Sequence, residues 1–114
     1  MCGFTGFYTP KIDISRSELY MMCKAMNDSL SHRGPDSESV WQDPDVPLAL
    51  GHRRLSIIDL SDEGQQPMTS SSGRYIVAFN GEIYNFQELA ANLEAQGIAF
   101  RGRSDTEVLI EAID

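Results

Sequence analysis

The chain has 114 residues, of which 41% are hydrophobic and 23% charged, and its formal net charge at pH 7 is −8. Length and composition are those of one globular domain, and the negative charge argues against nucleic acid or an anionic membrane as a partner, since both would repel the chain at long range. The N-terminus lacks a secretory signal and no apolar run is long enough to span a bilayer, so we expect a cytoplasmic protein.

The first predicted element is a strand over residues 2–8, which begins with Cys2 directly behind Met1. If Met1 is removed, Cys2 carries a thiol and a free α-amine, whose ordinary pKa values are about 8.5 and about 7.7–8.0. The amine would then take the thiol proton through a bridging water, because the two groups of one residue are poorly aligned for direct transfer. The alternative is that Cys2 is a small apolar residue at the start of a buried strand.

A helix is predicted next, because Ser15 and Glu18 have the spacing of a capping box and apolar residues follow at helical spacing. These apolar residues are Leu19, Met22, Cys23, Met26 and Leu30. Cys23 lies in this stripe and is predicted to belong to the core, and the two cysteines do not form a disulfide framework.

The middle of the chain is predicted to be mostly sheet. A loop with glycine and proline at residues 31–37 precedes candidate strands at residues 39–42, 48–58 and 75–80. Asn80 and Gly81, at the end of the last of these strands, are also a strong signal for a type I′ hairpin turn.

Two further helices are predicted from their N-terminal residues. Asn85 with Glu88 is expected to cap one that ends before Gly97, and Ser104 with Glu107 is expected to cap another. No stop signal follows the last helix, so the chain is expected to be a portion of a larger domain.

Six segments, in this order, resemble one known family. They are MCGFTGF at the N-terminus, SHRGPDS at residues 31–37, LGHRRLSIIDLS at 50–61, GQQPM at 64–68, FNGEIYNFQEL at 79–89 and SDTEVLI at 104–110. Together they resemble the glutaminase domain of glutamine-hydrolysing asparagine synthetases, a class II glutamine amidotransferase domain. The RGPD and HRRLSIIDL forms fit this family better than other amidotransferases with an N-terminal cysteine.

The resemblance implies an α+β fold, the N-terminal-nucleophile (Ntn) hydrolase fold, in which two antiparallel sheets pack between helices as a four-layer αββα sandwich. Residues 1–114 would be the N-terminal portion of this amidotransferase domain, without the C-terminal synthetase domain. The implied partners are L-glutamine and that synthetase domain, and a homodimer is left open. No cofactor is expected in this chain, whereas ATP and Mg²⁺ are implied for the synthetase domain, which would use the ammonia to amidate aspartate.

The resemblance also implies roles for individual residues. Cys2 would attack the side-chain amide of glutamine, form a thioester and release ammonia. The side-chain NH₂ of Asn80 and the backbone N–H of Gly81 would form the oxyanion hole, and Glu82 would lie on the substrate.

The two charges of free glutamine would be recognised by Arg54, on the α-carboxylate, and Asp105, on the α-ammonium group. Arg53 would then lie outside the pocket, because neighbouring residues of a strand face opposite sides. The backbone that follows would line the glutamine site, at residues Leu55, Ser56, Ile57 and Ile58.

Other interpretations have less support from the sequence. His32 and His52 suggest a cysteine–histidine hydrolase, but neither lies in a signature of that class, and no ligand spacing indicates a metal site. Residues 33–36 are interpreted as a structural turn near the site. Two alternatives stay open: an inactive or isolated fragment with a structural or interaction role, and an amidotransferase that acts on another carboxylate acceptor.

Overall fold

The computed structural model describes residues 2–57 and 60–114. In chain order, its elements are β1 (Gly3–Tyr8), α1 (Arg16–Asp28), β2 (Ser37–Gln42), β3 (Leu48–Arg54), a 3₁₀ turn (Asp62–Gly64), β4 (Met68–Thr69), β5 (Ile76–Val77), α2 (Phe86–Ala95) and α3 (Asp105–Ile113). All strand pairs are antiparallel. The predicted α+β class is therefore confirmed at the level of antiparallel sheets and helices. The chain forms two units, the first ending at Leu55 and the second beginning at Ser56.

The first unit is built on a sheet of three strands in the order β1-β3-β2. Central strand β3 pairs along its length with β1, from Gly3 opposite Arg53 to Tyr8 opposite Leu48. Its other edge pairs with β2, where Ser37 lies opposite Arg54. The strand predicted for residues 48–58 ends at Arg54 in the structure, and Ile58 lies outside the described residues.

Helix α1 covers one face of this sheet. Its buried residues Leu19 and Cys23 pack with Ala49 of β3, and Phe7, Ile14 and Val40 surround them. The prediction that Cys23 belongs to the core is confirmed, since its side chain is 0% exposed. Burial also raises the pKa of the Cys23 thiol above its ordinary value.

The predicted apolar stripe of α1 is wrong at two positions. Met22 and Met26 are 43% and 38% exposed, whereas Asn27 is 0% exposed. The Asn27 amide Nδ2 donates to the carbonyl oxygens of Ser39 at 3.4 Å and His52 at 3.3 Å, which belong to adjacent strands. A hydrogen-bonded amide therefore takes the buried position that the spacing assigned to a methionine.

The second unit contains the short hairpin β4–β5 and helices α2 and α3. The predicted strand at residues 75–80 is reduced to Ile76–Val77, and β4 was not predicted. One reason is that the Phe79 N–H donates to the side-chain Oε1 of Gln66 at 2.6 Å rather than to a neighbouring strand. The Gln66 side chain thus takes the place of a strand-to-strand hydrogen bond where the strand would have continued.

The three predicted helix caps have three different outcomes. The capping box of Ser15 and Glu18 on α1 is complete. The Ser104 side chain caps α3 by accepting from the Glu107 N–H, but the Glu107 carboxylate accepts from Gly102 instead of closing a capping box. Asn85 occupies the N-cap position of α2 without a side-chain hydrogen bond.

The predicted end of α2 is confirmed. Gly97 has a φ of +96°, and the N–H groups of Gly97 and Ile98 donate to the carbonyl oxygens of Glu94 and Leu93. This is the Schellman arrangement, which requires a left-handed residue just past the helix end.

Replacing Ser15 by alanine should destabilise the fold by about 1 kcal/mol, because an N–H in the first turn of α1 loses its side-chain acceptor. Ser17→Ala is the matched control: the same change two residues later, at an exposed position, should alter the free energy of unfolding by less than about 0.5 kcal/mol. Urea denaturation of both variants measures the difference. Equal stabilities would contradict a functional capping box.

Candidate active site

The Cys2 thiol lies against the backbone of Leu55. Its Sγ accepts a hydrogen bond from the Leu55 N–H at 3.2 Å and lies 3.5 Å from the Leu55 carbonyl oxygen, to which the S–H donates. Cys2 is half-buried. The β1–β3 register produces this contact, because Gly3 pairs with Arg53 and Cys2 therefore meets the residues that follow Arg53.

The loop at residues 31–37 holds the start of β1 and the end of β3. Arg33 Nε donates to the Cys2 carbonyl oxygen at 3.1 Å, and the Asp36 N–H donates to the Arg54 carbonyl oxygen at 3.0 Å. Gly34 allows the close approach, since a Cβ there would lie 2.3 Å from the Arg53 carbonyl carbon. The loop is a structural turn near Cys2, as predicted, but the bond from Arg33 to the Cys2 carbonyl was not predicted.

Arg53 and Arg54 lie on opposite faces of β3, as predicted. Arg53 Nη1 lies 2.9 Å from Glu38 and 3.8 Å from Asp28, on the α1 side of the sheet. Lys24 belongs to the same cluster. Its hydrogen bond to the Asp28 carboxylate, and to a smaller extent the one to Glu38, raises the pKa of Lys24. Arg54 is 7% exposed, and strand alternation places it on the face away from α1, since its neighbour Arg53 contacts Asp28 of that helix. Arg53 therefore forms salt bridges on the α1 side of the sheet, and Arg54 is the arginine on the opposite face.

Asn80 and Gly81 lie in the second unit, and they do not form the predicted type I′ turn. That turn needs a positive φ at both central residues, and among the described residues only Gly73 and Gly97 have one. Gly81 instead lies against the Phe79 ring, because a Cβ at Gly81 would be 2.8 Å from the ring carbon Cζ. A side chain at position 81 would therefore displace the Phe79 ring, whereas the backbone angles do not require glycine there.

Asp105 is the first residue of α3, directly behind the N-cap Ser104. It is 6% exposed, and its Oδ2 accepts a hydrogen bond from the Ile83 N–H at 2.9 Å. Asp105 therefore lies beside the chain segment that contains Asn80, Gly81 and Glu82. A helix N-terminus favours negative charge, which suits a carboxylate at this position.

The predicted site residues thus form two groups, each within one unit. Cys2, Arg54 and the Leu55 backbone belong to the first unit, and Asp105 lies next to residues 80–82 in the second. Of the predicted lining residues, Ser56 is half-buried and Ile57 is exposed. Met1 and Ile58 lie outside the described residues, so the removal of Met1 and the role of Ile58 stay predictions.

One groove described in the second unit contains none of these residues. It has a volume of about 500 Å³ and is lined by α2, by residues before α3 and by Val108 of α3. Within residues 2–57 and 60–114, no group of three or more His, Cys, Asp or Glu side chains is placed to hold a metal ion, and no helix is long and apolar enough to cross a membrane.

Comparison with known proteins identifies the class. Residues 1–114 match the glutamine amidotransferase domain family, and the chain belongs to that family. It is 44% identical over 110 residues to asparagine synthetase [glutamine-hydrolyzing] 1 of Bacillus subtilis, covering 96% of this chain and 17% of the relative. Asparagine synthetase [glutamine-hydrolyzing] 3 of the same organism is 40% identical over 114 residues, with coverages of 98% and 18%.

A third relative has a different name. An amidase of Gibberella zeae is 35% identical over 117 residues, covering 96% of this chain and 17% of the relative. The chain therefore spans less than a fifth of the length of all three relatives.

Iodoacetamide should modify one thiol of the folded protein, Cys2, and both in urea. Cys2 is half-buried, whereas Cys23 is fully buried and its raised pKa leaves little thiolate. Peptide mapping of the labelled chain locates the modified residue. The Cys2→Ser variant should take no label when folded, and label on Cys23 under native conditions would contradict the described core.

Proposed function

We propose that this chain is the glutaminase part of an asparagine synthetase-type amidotransferase, which hydrolyses L-glutamine to glutamate and ammonia. The observation that carries this proposal is the position of the half-buried Cys2 thiol against the Leu55 backbone, in a chain that matches the amidotransferase domain along its whole length. Similarity to relatives named as glutamine-hydrolysing supports the choice of substrate.

The proposed reaction begins at Cys2. Its sulfur attacks the side-chain amide carbon of glutamine, and the C–N bond breaks to leave a thioester and ammonia, which takes the thiol proton. Water then attacks the thioester and releases glutamate and the thiol. Removal of Met1 would free the α-amine that accepts and returns the proton, through a bridging water.

Negative charge develops on the amide oxygen during both steps. We assign its stabilisation to two donors, the side-chain NH₂ of Asn80 and the backbone N–H of Gly81. The Phe79 ring beside Gly81 supports this assignment, because a ring on one side of the backbone limits its movement where a donor must be fixed.

Recognition of the substrate is assigned to charges of both signs. The Arg54 guanidinium has the fork geometry for a bidentate bond to the α-carboxylate, and the Asp105 carboxylate would bind the α-ammonium group. Because Asp105 Oδ2 already accepts from Ile83, the ammonium group would take Oδ1. Backbone groups at Leu55, Ser56, Ile57 and Ile58, together with Glu82, complete the proposed glutamine site.

The fold and the reaction of the whole protein are proposed from its similarity to the relatives. The chain would form part of a four-layer Ntn hydrolase sandwich and pass ammonia to a synthetase domain, which would use ATP and Mg²⁺ to amidate aspartate. No cofactor is proposed for the chain itself. That one relative is named an amidase keeps a different acceptor as the second candidate. A cytoplasmic location and a homodimer stay predictions.

A diazo-ketone analogue of glutamine tests the proposal through the intact mass of the complete natural gene product. We expect the mass to show loss of Met1 and one adduct, mapped to Cys2, because the analogue reacts only with a nucleophile in a formed glutamine site.

Excess glutamine should block the adduct, and the Cys2→Ser variant should not form it. A retained Met1, or an absence of adduct in the natural protein, would reduce the chain to a family member without glutaminase chemistry.

Asn80→Ala should lower kcat for glutamine hydrolysis by about 10²–10³, the usual cost of losing one oxyanion donor. Asn92→Ala, the same change at an exposed position of α2, is the matched control and should leave kcat unchanged. Ammonia release measured at saturating glutamine gives both values. Near-full activity of Asn80→Ala would remove this residue from the oxyanion hole.

A further inference from the structure

The segment at residues 79–83, which contains the proposed oxyanion donors, is fixed by side chains at both of its ends. The Phe79 N–H donates to Gln66 Oε1 at 2.6 Å, and the Ile83 N–H donates to Asp105 Oδ2 at 2.9 Å. Both bonds lie within the second unit. The donors at Asn80 and Gly81 are therefore held between two anchors.

Gln66 is a bridge rather than a simple acceptor. It is 7% exposed, and its Nε2 donates to the Thr106 hydroxyl Oγ1 at 3.0 Å. The orientation of its amide follows from chemistry, because a backbone N–H only donates and must meet the Gln66 oxygen. Both ends of the buried amide are therefore bonded, and Phe79 is tied to Thr106.

Both anchors meet at the first turn of α3, where Asp105 and Thr106 are consecutive. This turn is itself fixed, because the buried Glu107 carboxylate accepts hydrogen bonds from the backbone N–H groups of Arg101 at 2.7 Å and Gly102 at 2.9 Å. The Ser104 side chain also accepts from the Glu107 N–H at 3.1 Å. The first turn of α3 is thus a well-bonded support for residues 79–83.

The position of Phe79 bears directly on Gly81. The ring of Phe79 lies so close to Gly81 that a Cβ there would be 2.8 Å from it. A shift of the Phe79 backbone would move this ring and with it the surface on which Gly81 rests. The bond from Gln66 to the Phe79 N–H therefore fixes the residue on whose ring the Gly81 backbone lies.

We propose that Gln66 is a positioning residue for the oxyanion hole: its amide, anchored on Thr106, fixes the donors at Asn80 and Gly81. The inference rests on the proposed glutaminase function. Because the donors at Asn80 and Gly81 act on the charge that develops in the reaction, loss of Gln66 should lower kcat far more than it raises KM.

Gln66→Met removes both hydrogen bonds and retains the length of the side chain. We expect kcat for glutamine hydrolysis to fall by about 10²-fold, the effect of a displacement of about 1 Å at a reacting group, with KM within about threefold of the natural protein. Gln96→Met, the same change at the exposed end of α2, is the matched control and should leave both constants unchanged.

An inhibitor that resembles the transition state separates positioning from a general loss of structure. The γ-aldehyde of glutamate forms a hemithioacetal with a thiol, and its oxygen requires the oxyanion donors, whereas glutamate itself does not. In Gln66→Met the inhibition constant of the aldehyde should rise by the same factor as kcat falls, with the affinity for glutamate retained. A merely structural role would weaken both ligands alike.

Thr106 provides a second route if Gln66→Met does not fold. Thr106→Val removes the hydroxyl that anchors the Gln66 amide and should lower kcat, whereas Thr106→Ser keeps the hydroxyl and should restore it.

The outcomes distinguish the two proposals. A complete natural gene product that does not hydrolyse glutamine overturns the proposed function and the role of Gln66 with it. An active protein in which Gln66→Met or Thr106→Val leaves kcat and the aldehyde affinity unchanged overturns the role of Gln66 alone.

Discussion

The position of the candidate nucleophile depends on the antiparallel pairing of β1 with β3. Gly3 opposite Arg53 brings Cys2 to the Leu55 backbone and leaves Arg54 on the face away from α1. A slip of one residue would exchange the faces of the strand and move the buried residues of β1 to the opposite side. The core under α1, where Phe7 and Ala49 pack together, therefore fixes the register and the Cys2 thiol at the same time.

The second unit is held together differently, through carboxylates of α3. Asp105, Glu107 and Glu111 are all buried, and each accepts a backbone N–H from a neighbouring loop. Strands of two residues satisfy few backbone donors, so the loops depend on side-chain acceptors. The cost of burying these charges is offset because each carboxylate is hydrogen-bonded.

The sequence predicted what local chemistry determines and missed what tertiary contacts determine. Strand β1, the cap at Ser15 and the helix stop at Gly97 follow from neighbouring residues, and all are present. The buried Asn27 is different, because only carbonyl oxygens of two adjacent strands make its place in the core favourable. The same applies to Gln66, whose partners lie 13 and 40 residues further along the chain. The site residues themselves came from resemblance rather than from spacing.

If Asp105 binds the substrate ammonium as proposed, its carboxylate would serve both structure and recognition. Its Oδ2 is used by the Ile83 N–H, but a carboxylate has about four acceptor sites, so a bond to the backbone leaves room for an ammonium group. The Ile83 N–H does not repel an ammonium group, since a peptide N–H carries no net charge. The N-terminus of α3 stabilises the negative charge of the Asp105 carboxylate, to which both groups would bond. A substrate ammonium bound at Asp105 would therefore lie one hydrogen bond away from the segment that carries Asn80 and Gly81. Recognition of the free amino acid and placement of the oxyanion donors would then depend on the same turn of helix.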